Sequence, residues 1–338
     1  MVFEAWKKIQ QQEIAPIYLI YGTEAFLINE TKNILLKELL TEEETDFNFA
    51  VYDLEETPIE MAIEDAETFP FFGERKLLFL HNPAFLTAEK SKDKVEHNLS
   101  RFEAYIQQPA PYTVMVIAAP YEKLDERKKI TKELKRRAEI IEAKKLNERE
   151  LTNWIKAQVR SRGFAIDEHA CERLLALVGT NMFMIVSELD KICLYAAGQG
   201  NITVHLVEEL VAKSLEQNIF TLIEKVVQRR LEDALRIYYD LLKQNEEPIK
   251  ILALLAGQFR LIYQVKELSR KGYGQQQIAS YLKTHPFRVK LALGQAGKFT
   301  DEELLRIMNL LAEADYQMKT GGMNKSLLIE LFLFRLKK

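Results

Sequence analysis

Ile17-Tyr18-Leu19-Ile20-Tyr21-Gly22-Thr23-Glu24-Ala25-Phe26-Leu27 opens with five apolar or aromatic residues, turns at a glycine, and continues with apolar residues at helical spacing (Phe26, Leu27, Ile34, Leu35, Leu39). A short run without polar alternation, ended by glycine, reads as a strand buried on both faces. Strand, glycine turn and helix in that order is where a RecA-like ATPase carries the pattern GxxxxGK[ST]. There, backbone N–H groups cradle phosphate, the lysine reaches the outer phosphates and the hydroxyl binds Mg²⁺. Here Gly22 occupies the first glycine position, but the second glycine, the lysine and the hydroxyl that follows it are missing. Glu24 and the bulky Phe26 stand where a phosphate would lie, and a carboxylate beside phosphate is repulsive. Gly22, Thr23 and Glu24 therefore read as a degenerate phosphate loop, or as a plain turn; on either reading no catalysis, bound cofactor or metal is expected.

Outward from this turn, strands and helices alternate over the first 142 residues. Phe47–Tyr52, Lys76–Leu80, Thr113–Ala118 and Ile140–Ile141 are strand-like. Helices are predicted over 24–40, over 58–67 behind Pro58, over about 98–107, and over about 124–137, with 84–97 a polar loop carrying Lys90, Lys92 and Lys94. Five buried strands separated by helices predict a parallel, doubly wound sheet. The third strand runs into His81-Asn82, not into the paired acids that hold Mg²⁺ and a catalytic water, and Asp53 follows the second strand without a phosphate loop to serve. Glu42-Glu43-Glu44 reads as a solvated face.

After residue 142 the strand signal disappears. Asn147-x-x-Glu150 and Thr300-x-x-Glu303 are capping boxes, and Asp167, Thr203, Pro248 and Pro286 mark further helix starts. The predicted helices are one from Asn147 to Gly163, one from Asp167 to Gly179, then 182–197 (stopped by Gly198-x-Gly200), one to about 213, and 218–227, 231–244, 248–270, 286–296, 301–318 and 325–336. The predicted organisation is thus an α/β domain at 1–142, a small helical domain at 143–213 and a second helical domain at 214–338.

The 338 residues are 47% hydrophobic and 29% charged, with 13 Gly and 9 Pro, a composition of globular domains without long flexible linkers. No apolar run reaches the ~18 residues of a membrane span, and the N-terminus lacks the basic-then-apolar pattern of a secretion signal; a cytoplasmic protein with no membrane partner is expected. The net charge of −3 is unevenly spread: residues 1–100 carry 9 basic against 20 acidic side chains, residues 214–338 carry 20 against 14. An acidic front disfavours nucleic acid and a mildly basic back permits it. Cys171 and Cys193 lie in predicted helices without CxxC spacing and read as buried thiols. The histidines at 81, 97, 169, 205 and 285 are scattered and read as surface or helix-end residues.

Two segments invite a binding role. Thr68-Phe69-Pro70-Phe71-Phe72-Gly73-Glu74-Arg75 places three phenylalanines in a loop between a helix and a strand. Either the rings tuck beneath the sheet edge, or Phe69, Phe71 and Phe72 anchor a partner; interface energy concentrates in such residues, and Pro70 lowers the ordering cost. The second segment is the basic helix with Lys123, Arg127, Lys128, Lys129, Lys132, Lys135, Arg136 and Arg137. It is either a solvated face or a surface for phosphate backbones, with Lys128, Lys132 and Arg136 as candidate DNA contacts.

Taken in order, Pro16–Leu27, Thr68–Lys76, Glu188-Leu189-Asp190-Lys191-Ile192 and Ala314-Asp315-Tyr316-Gln317-Met318-Lys319-Thr320-Gly321 resemble, over the full length, the delta subunits of bacterial DNA polymerase III, of the Gram-positive type. The resemblance implies an AAA+-like module without ATPase activity at 1–142, a helical lid at 143–213 and a helical collar at 214–338. The collar would join a five-membered clamp-loader ring with ATP-binding gamma/tau subunits and a delta-prime subunit, acting on primed DNA within a DNA-directed DNA polymerase (nucleotidyltransferase) holoenzyme. In this family a hydrophobic pair after the second helix enters a pocket on the beta sliding clamp and holds one clamp interface open. The matching pair is Phe71-Phe72, with Phe69 beside it. The family pattern often starts with Gln and ends Leu-Phe; Glu67 and Phe71 stand at those positions. Two other functions compete. An active AAA+ ATPase would bind nucleotide, and an AAA+-like DNA-binding regulator would bind DNA in a salt-sensitive way without holding a clamp.

Overall fold

The computed structural model describes residues 2–88, 95–196, 200–321 and 323–336; Lys90, Lys92, Lys94 and Gly198 lie outside the described residues. The chain divides into two compact units, Met1–Lys145 and Leu146–Lys338.

In the first unit the order is α1 (Val2–Gln10), β1 (Ile17–Tyr21), α2 (Ala25–Leu39), α3 (Glu42–Asn48), β2 (Phe49–Asp53), α4 (Ile59–Ala66), β3 (Lys76–His81), a 3₁₀ turn (Ala84–Leu86), α5 (Leu99–Gln107), β4 (Thr113–Ala119), α6 (Lys129–Arg137) and β5 (Glu139–Glu142). The five strands form one sheet in the order β2-β3-β4-β1-β5, every pairing parallel. This is the expected doubly wound, parallel α/β domain. Ile17, Leu19, Leu78, Leu80, Met115 and Ile117 pack with Ile63, Phe102, Ile106, Ile130 and Leu134. Tyr18, Ile20, Leu77 and Phe79 are buried as well, with α2 against β3 and α1 against β5. Burial on both faces is why β1, β3 and β4 lack alternation.

Two local expectations need correction, and one helix was not foreseen. The segment predicted as a strand from Phe47 is helical through Asn48: Thr41 and Glu44 form a capping box, and the acids at 42–44 suit a helix N-terminus. The basic helix starts at Lys129, not 124, because Asp125 accepts the Arg127 N–H in a side-chain turn and Lys128 N–H bonds to the Asp125 carbonyl. A helix precedes the first strand, with Val2, Ala5, Trp6 and Ile9 on its buried face.

The second unit runs α7 (Glu148–Ser161), β6 (Ala165–Ile166), α8 (Glu168–Val178), α9 (Met182–Tyr195), β7 (Asn201–Ile202), α10 (Val204–Leu210), α11 (Leu215–Val227), α12 (Leu231–Lys243), α13 (Pro248–Arg270), α14 (Gln275–Tyr281), α15 (Pro286–Ala296), α16 (Asp301–Thr320) and α17 (Lys325–Arg335). It is helical as expected, apart from one two-residue parallel pairing, β6 with β7, that the sequence did not announce. The capping boxes at Asn147/Glu150 and Thr300/Glu303 are both formed. α13 is surrounded by α11 and α14–α17, and Tyr238, Leu255, Phe259, Ile262, Leu311 and Phe332 fill the core around it. α14 is a helix the sequence reading missed. No helix among the described residues is long and apolar enough to cross a membrane.

Candidate functional site

In open parallel sheets a ligand lies beyond the carboxyl ends of the strands, which makes the turn after β1 the place to test for nucleotide. The Gly22 N–H donates to the Ala119 carbonyl at 3.2 Å, and the Glu24 N–H donates to the Ala143 carbonyl at 2.9 Å. Gly22 has φ +135°, and a Cβ built there would lie 2.1 Å from the Ala143 oxygen; only glycine fits. Glu24 stands at the N-cap of α2. Burial pushes its carboxyl up from the ordinary value, while the Phe26 amide and Lys145 pull it down. At the end of β3, Asn82 donates to both Asp53 oxygens at 3.1 Å. Two amides of the turn thus already have backbone acceptors, a carboxylate sits at the helix N-terminus, and the acid on β2 is held by an amide. These residues do not fit a Mg²⁺–nucleotide, and among the described residues no cluster of His, Cys, Asp and Glu could hold a metal.

The loop between α4 and β3 is the other candidate. Phe69, Phe71 and Phe72 are 79%, 72% and 53% exposed, so none is tucked beneath the sheet edge, and Phe47 at the end of α3 is 57% exposed beside them. Phe47 stacks on Phe71 (centroids 5.5 Å, 26°) and meets Phe72 edge-on (5.4 Å, 78°). Phe71 and Phe72 meet edge-on at 4.7 Å. Phe69 leans on Tyr112 at 4.7 Å.

The backbone beneath these rings is held firmly. Asn48, 1% exposed, accepts the Phe71 N–H on Oδ1 at 3.0 Å and donates its amide to the Phe72 carbonyl. Gly73 has φ +69°, and a Cβ there would meet the Glu44 carboxylate at 1.8 Å. Lys76, 5% exposed, donates to Asp65 Oδ1 (2.7 Å), the Asp65 carbonyl (3.0 Å) and Thr68 Oγ1 (2.6 Å). Tyr52 donates to Asp65 Oδ2 at 2.9 Å, and the Tyr112 hydroxyl to the Glu67 carbonyl at 2.7 Å. The result is an apolar cluster in water on a root with little freedom, the arrangement expected of a pre-organised anchor for another protein.

Comparison with known proteins gives the assembly. The chain is 53% identical over all 338 residues to the DNA polymerase III subunit delta of Bacillus subtilis, covering 97% of that protein. The chain belongs to the DNA polymerase III delta subunit family. The solved Bacillus subtilis DNA clamp loader delta protein superposes with a TM-score of 0.83 at 52% identity, covering 100% of this chain and 99% of the other. Residues 18–144 match the family described as DNA polymerase III, delta subunit, residues 216–336 the C-terminal domain of that subunit, and residues 147–209 a family described as a middle domain. The probable delta subunit of Aquifex aeolicus is 22% identical over 260 residues, 76% of this chain and 72% of that protein. A delta subunit is a component of the DNA polymerase III clamp loader, and so a subunit of a polymerase complex.

The remaining sequence candidates fare differently. Lys128 donates to the Phe85 and Thr87 carbonyls at 2.8 and 2.6 Å, and Arg136 pairs with Glu133 at 2.7 Å; Lys132 is exposed. Of the helix cations, Lys129 and Lys135 are also paired, with Glu103 and Glu126. Sequence reasoning passed over a richer set. Residues 268–300 hold six Lys and Arg and no carboxylate; Lys271, Lys283 and Arg288 are exposed, and so are the rings of Tyr273 and Tyr281, 6.4 Å apart. The absence of acids was there to be counted. His81 closes β3 half-buried and is neither a surface nor a helix-end residue. His285, though buried, caps α15 by accepting the Phe287 N–H on Nδ1. Cys171 and Cys193 are free and buried.

Proposed function

We propose that the chain grips the beta sliding clamp through Phe71 and Phe72, with Phe69 beside them, and holds one clamp interface open for loading on primed DNA. The observation that carries this reading is an exposed aromatic cluster on a backbone fixed by Asn48, Gly73 and Lys76. Burying a phenylalanine contributes ~1.5–3 kcal/mol, and a loop already in its bound shape loses little freedom on docking. Opening then requires no chemistry in this chain. If the rings fit the clamp better when its neighbouring interface is relaxed, binding shifts the population toward open, by no more than the difference between the two affinities.

The turn at Gly22–Glu24 supports a subunit that does not hydrolyse ATP itself and relies on the gamma/tau subunits for it. In support of a division into clamp-binding module (1–142), lid (143–213) and collar (214–338), the matched families span residues 18–144, 147–209 and 216–336. Leu305, Tyr316, Leu327 and Phe334, exposed on α16 and α17, suit a collar that packs against gamma/tau and delta-prime neighbours. For primed DNA, Lys271, Lys283 and Arg288 with the two tyrosines form a better surface than α6, since cations with stacking rings bind single strands.

The deciding experiment measures binding of the full chain to the purified sliding clamp. Phe71→Ala with Phe72→Ala abolishes it without unfolding the chain, because both rings are more than half exposed. Undiminished affinity in the folded double variant removes the assignment.

A further inference from the structure

The loop is not the whole of the exposed apolar cluster. α3 reaches it three times within five residues. Glu44 lies against Gly73, Phe47 covers one face of Phe71 and one edge of Phe72, and Asn48 holds the backbone of both. The three rings close a triangle with centroid separations of 5.5, 5.4 and 4.7 Å. Ring pairs at these distances attract beyond their simple area, so Phe47 fixes how Phe71 and Phe72 present themselves. More than half of Phe47 nevertheless remains in water. A partner pocket that closes over Phe71 and Phe72 meets Phe47 at their side, because no polar residue separates them.

We propose that Phe47 is a third anchor ring of the clamp-binding surface. It is contributed by α3 and not by the loop, and it enters the same apolar pocket of the sliding clamp. This rests on the assignment of Phe71 and Phe72 to that pocket. Truncating an interface aromatic of this kind costs about tenfold or more in affinity. Because Phe47 and Phe71 touch, their effects are coupled, and the loss in the double variant is smaller than the product of the two single losses.

The test compares the full chain with Phe47→Ala, Phe71→Ala, Phe47→Ala plus Phe71→Ala, and Phe71→Ala plus Phe72→Ala, each titrated against the purified sliding clamp with its thermal midpoint recorded. The expected result for Phe47→Ala is a loss of about tenfold or more at an unchanged midpoint, with sub-multiplicative loss in the Phe47/Phe71 double variant. If Phe47→Ala lowers the midpoint, Phe47→Trp decides: its emission shifts to the blue on clamp addition, against the buried Trp6 and Trp154 of the parent chain. Wild-type affinity in folded Phe47→Ala, or an unmoved Phe47→Trp emission, overturns this inference while the loss in the Phe71/Phe72 variant keeps the assignment beneath it. Wild-type affinity in the Phe71/Phe72 variant overturns the assignment itself.

Discussion

Asp65→Ala should destabilise the first unit out of proportion to its partly exposed position, because of what it leaves behind. In the native unit the Lys76 ammonium, 7% exposed in its side chain, pairs with Asp65 Oδ1 at 2.7 Å, while Tyr52 donates to the other oxygen. Removing one partner of a buried pair costs about 3–5 kcal/mol, most of it from the orphaned charge. Two circumstances reduce this here. The ammonium keeps the main-chain oxygen of residue 65 and Thr68 Oγ1 as acceptors, and the carboxylate is partly open to solvent. The Tyr52 hydroxyl, in turn, loses its acceptor. Together these give about 2–3 kcal/mol. At about 4 °C per kcal/mol for a unit of this size, the calorimetric midpoint should fall by roughly 8–12 °C. Lys76→Met leaves a carboxylate with a hydroxyl donor and some water, and should cost less. The Asp65→Ala/Lys76→Met double variant should recover most of the loss, since neither charge then remains buried alone. A midpoint within about 2 °C of wild type for Asp65→Ala, or a double variant no better than the single, would refute the reasoning.

Calorimetric titration of the purified chain with Mg²⁺ and ATP should give no saturable heat into the millimolar range; saturable, Mg²⁺-dependent uptake would contradict the account of the Gly22 turn. Replacing Lys271, Lys283 and Arg288 by Ala should weaken binding to a single-stranded oligonucleotide and flatten the slope of log affinity against log salt by about 0.7 per cation removed. An unchanged slope would move the DNA surface elsewhere. Burial pushes the Tyr52, Tyr105 and Tyr238 hydroxyls up to about 12, helped at Tyr52 by its bond to Asp65. The unfolded chain releases these protons near pH 10, so their contribution to stability is complete below about pH 10 and drains away between about 10 and 12. Absorbance at 295 nm should show these tyrosines ionising later in the native chain than in denaturant; superposable curves would show that the fold does not hold them neutral.

What the sequence disclosed follows from the range of the interactions involved. The three inner strand runs, the caps at Asn147 and Thr300 and the broken phosphate loop are local, and a few neighbouring residues declare them. The loop phenylalanines were legible for the same reason, with Pro70 and Gly73 marking an irregular segment. Phe47 was not. Phe47-Asn48-Phe49-Ala50 fits a period of two as well as it fits a helix end, and the Thr41–Glu44 cap that settles the matter was read only as charge. The use of Asn48 depends on partners 23 and 24 residues away, beyond any local pattern. α14 was missed because its seven residues are too short to show a periodic apolar face, and α1 because four apolar positions at a terminus carry no cap to announce them.

The glycine after β1 also bears on timing. A motor subunit reads the cell's energy state through vacant amides that a phosphate can fill and leave. Here the chain fills two of those vacancies with its own carbonyls at 119 and 143. On the function proposed above, the first unit is an unclocked part, and the timing of its aromatic cluster in a loading cycle is set from outside it.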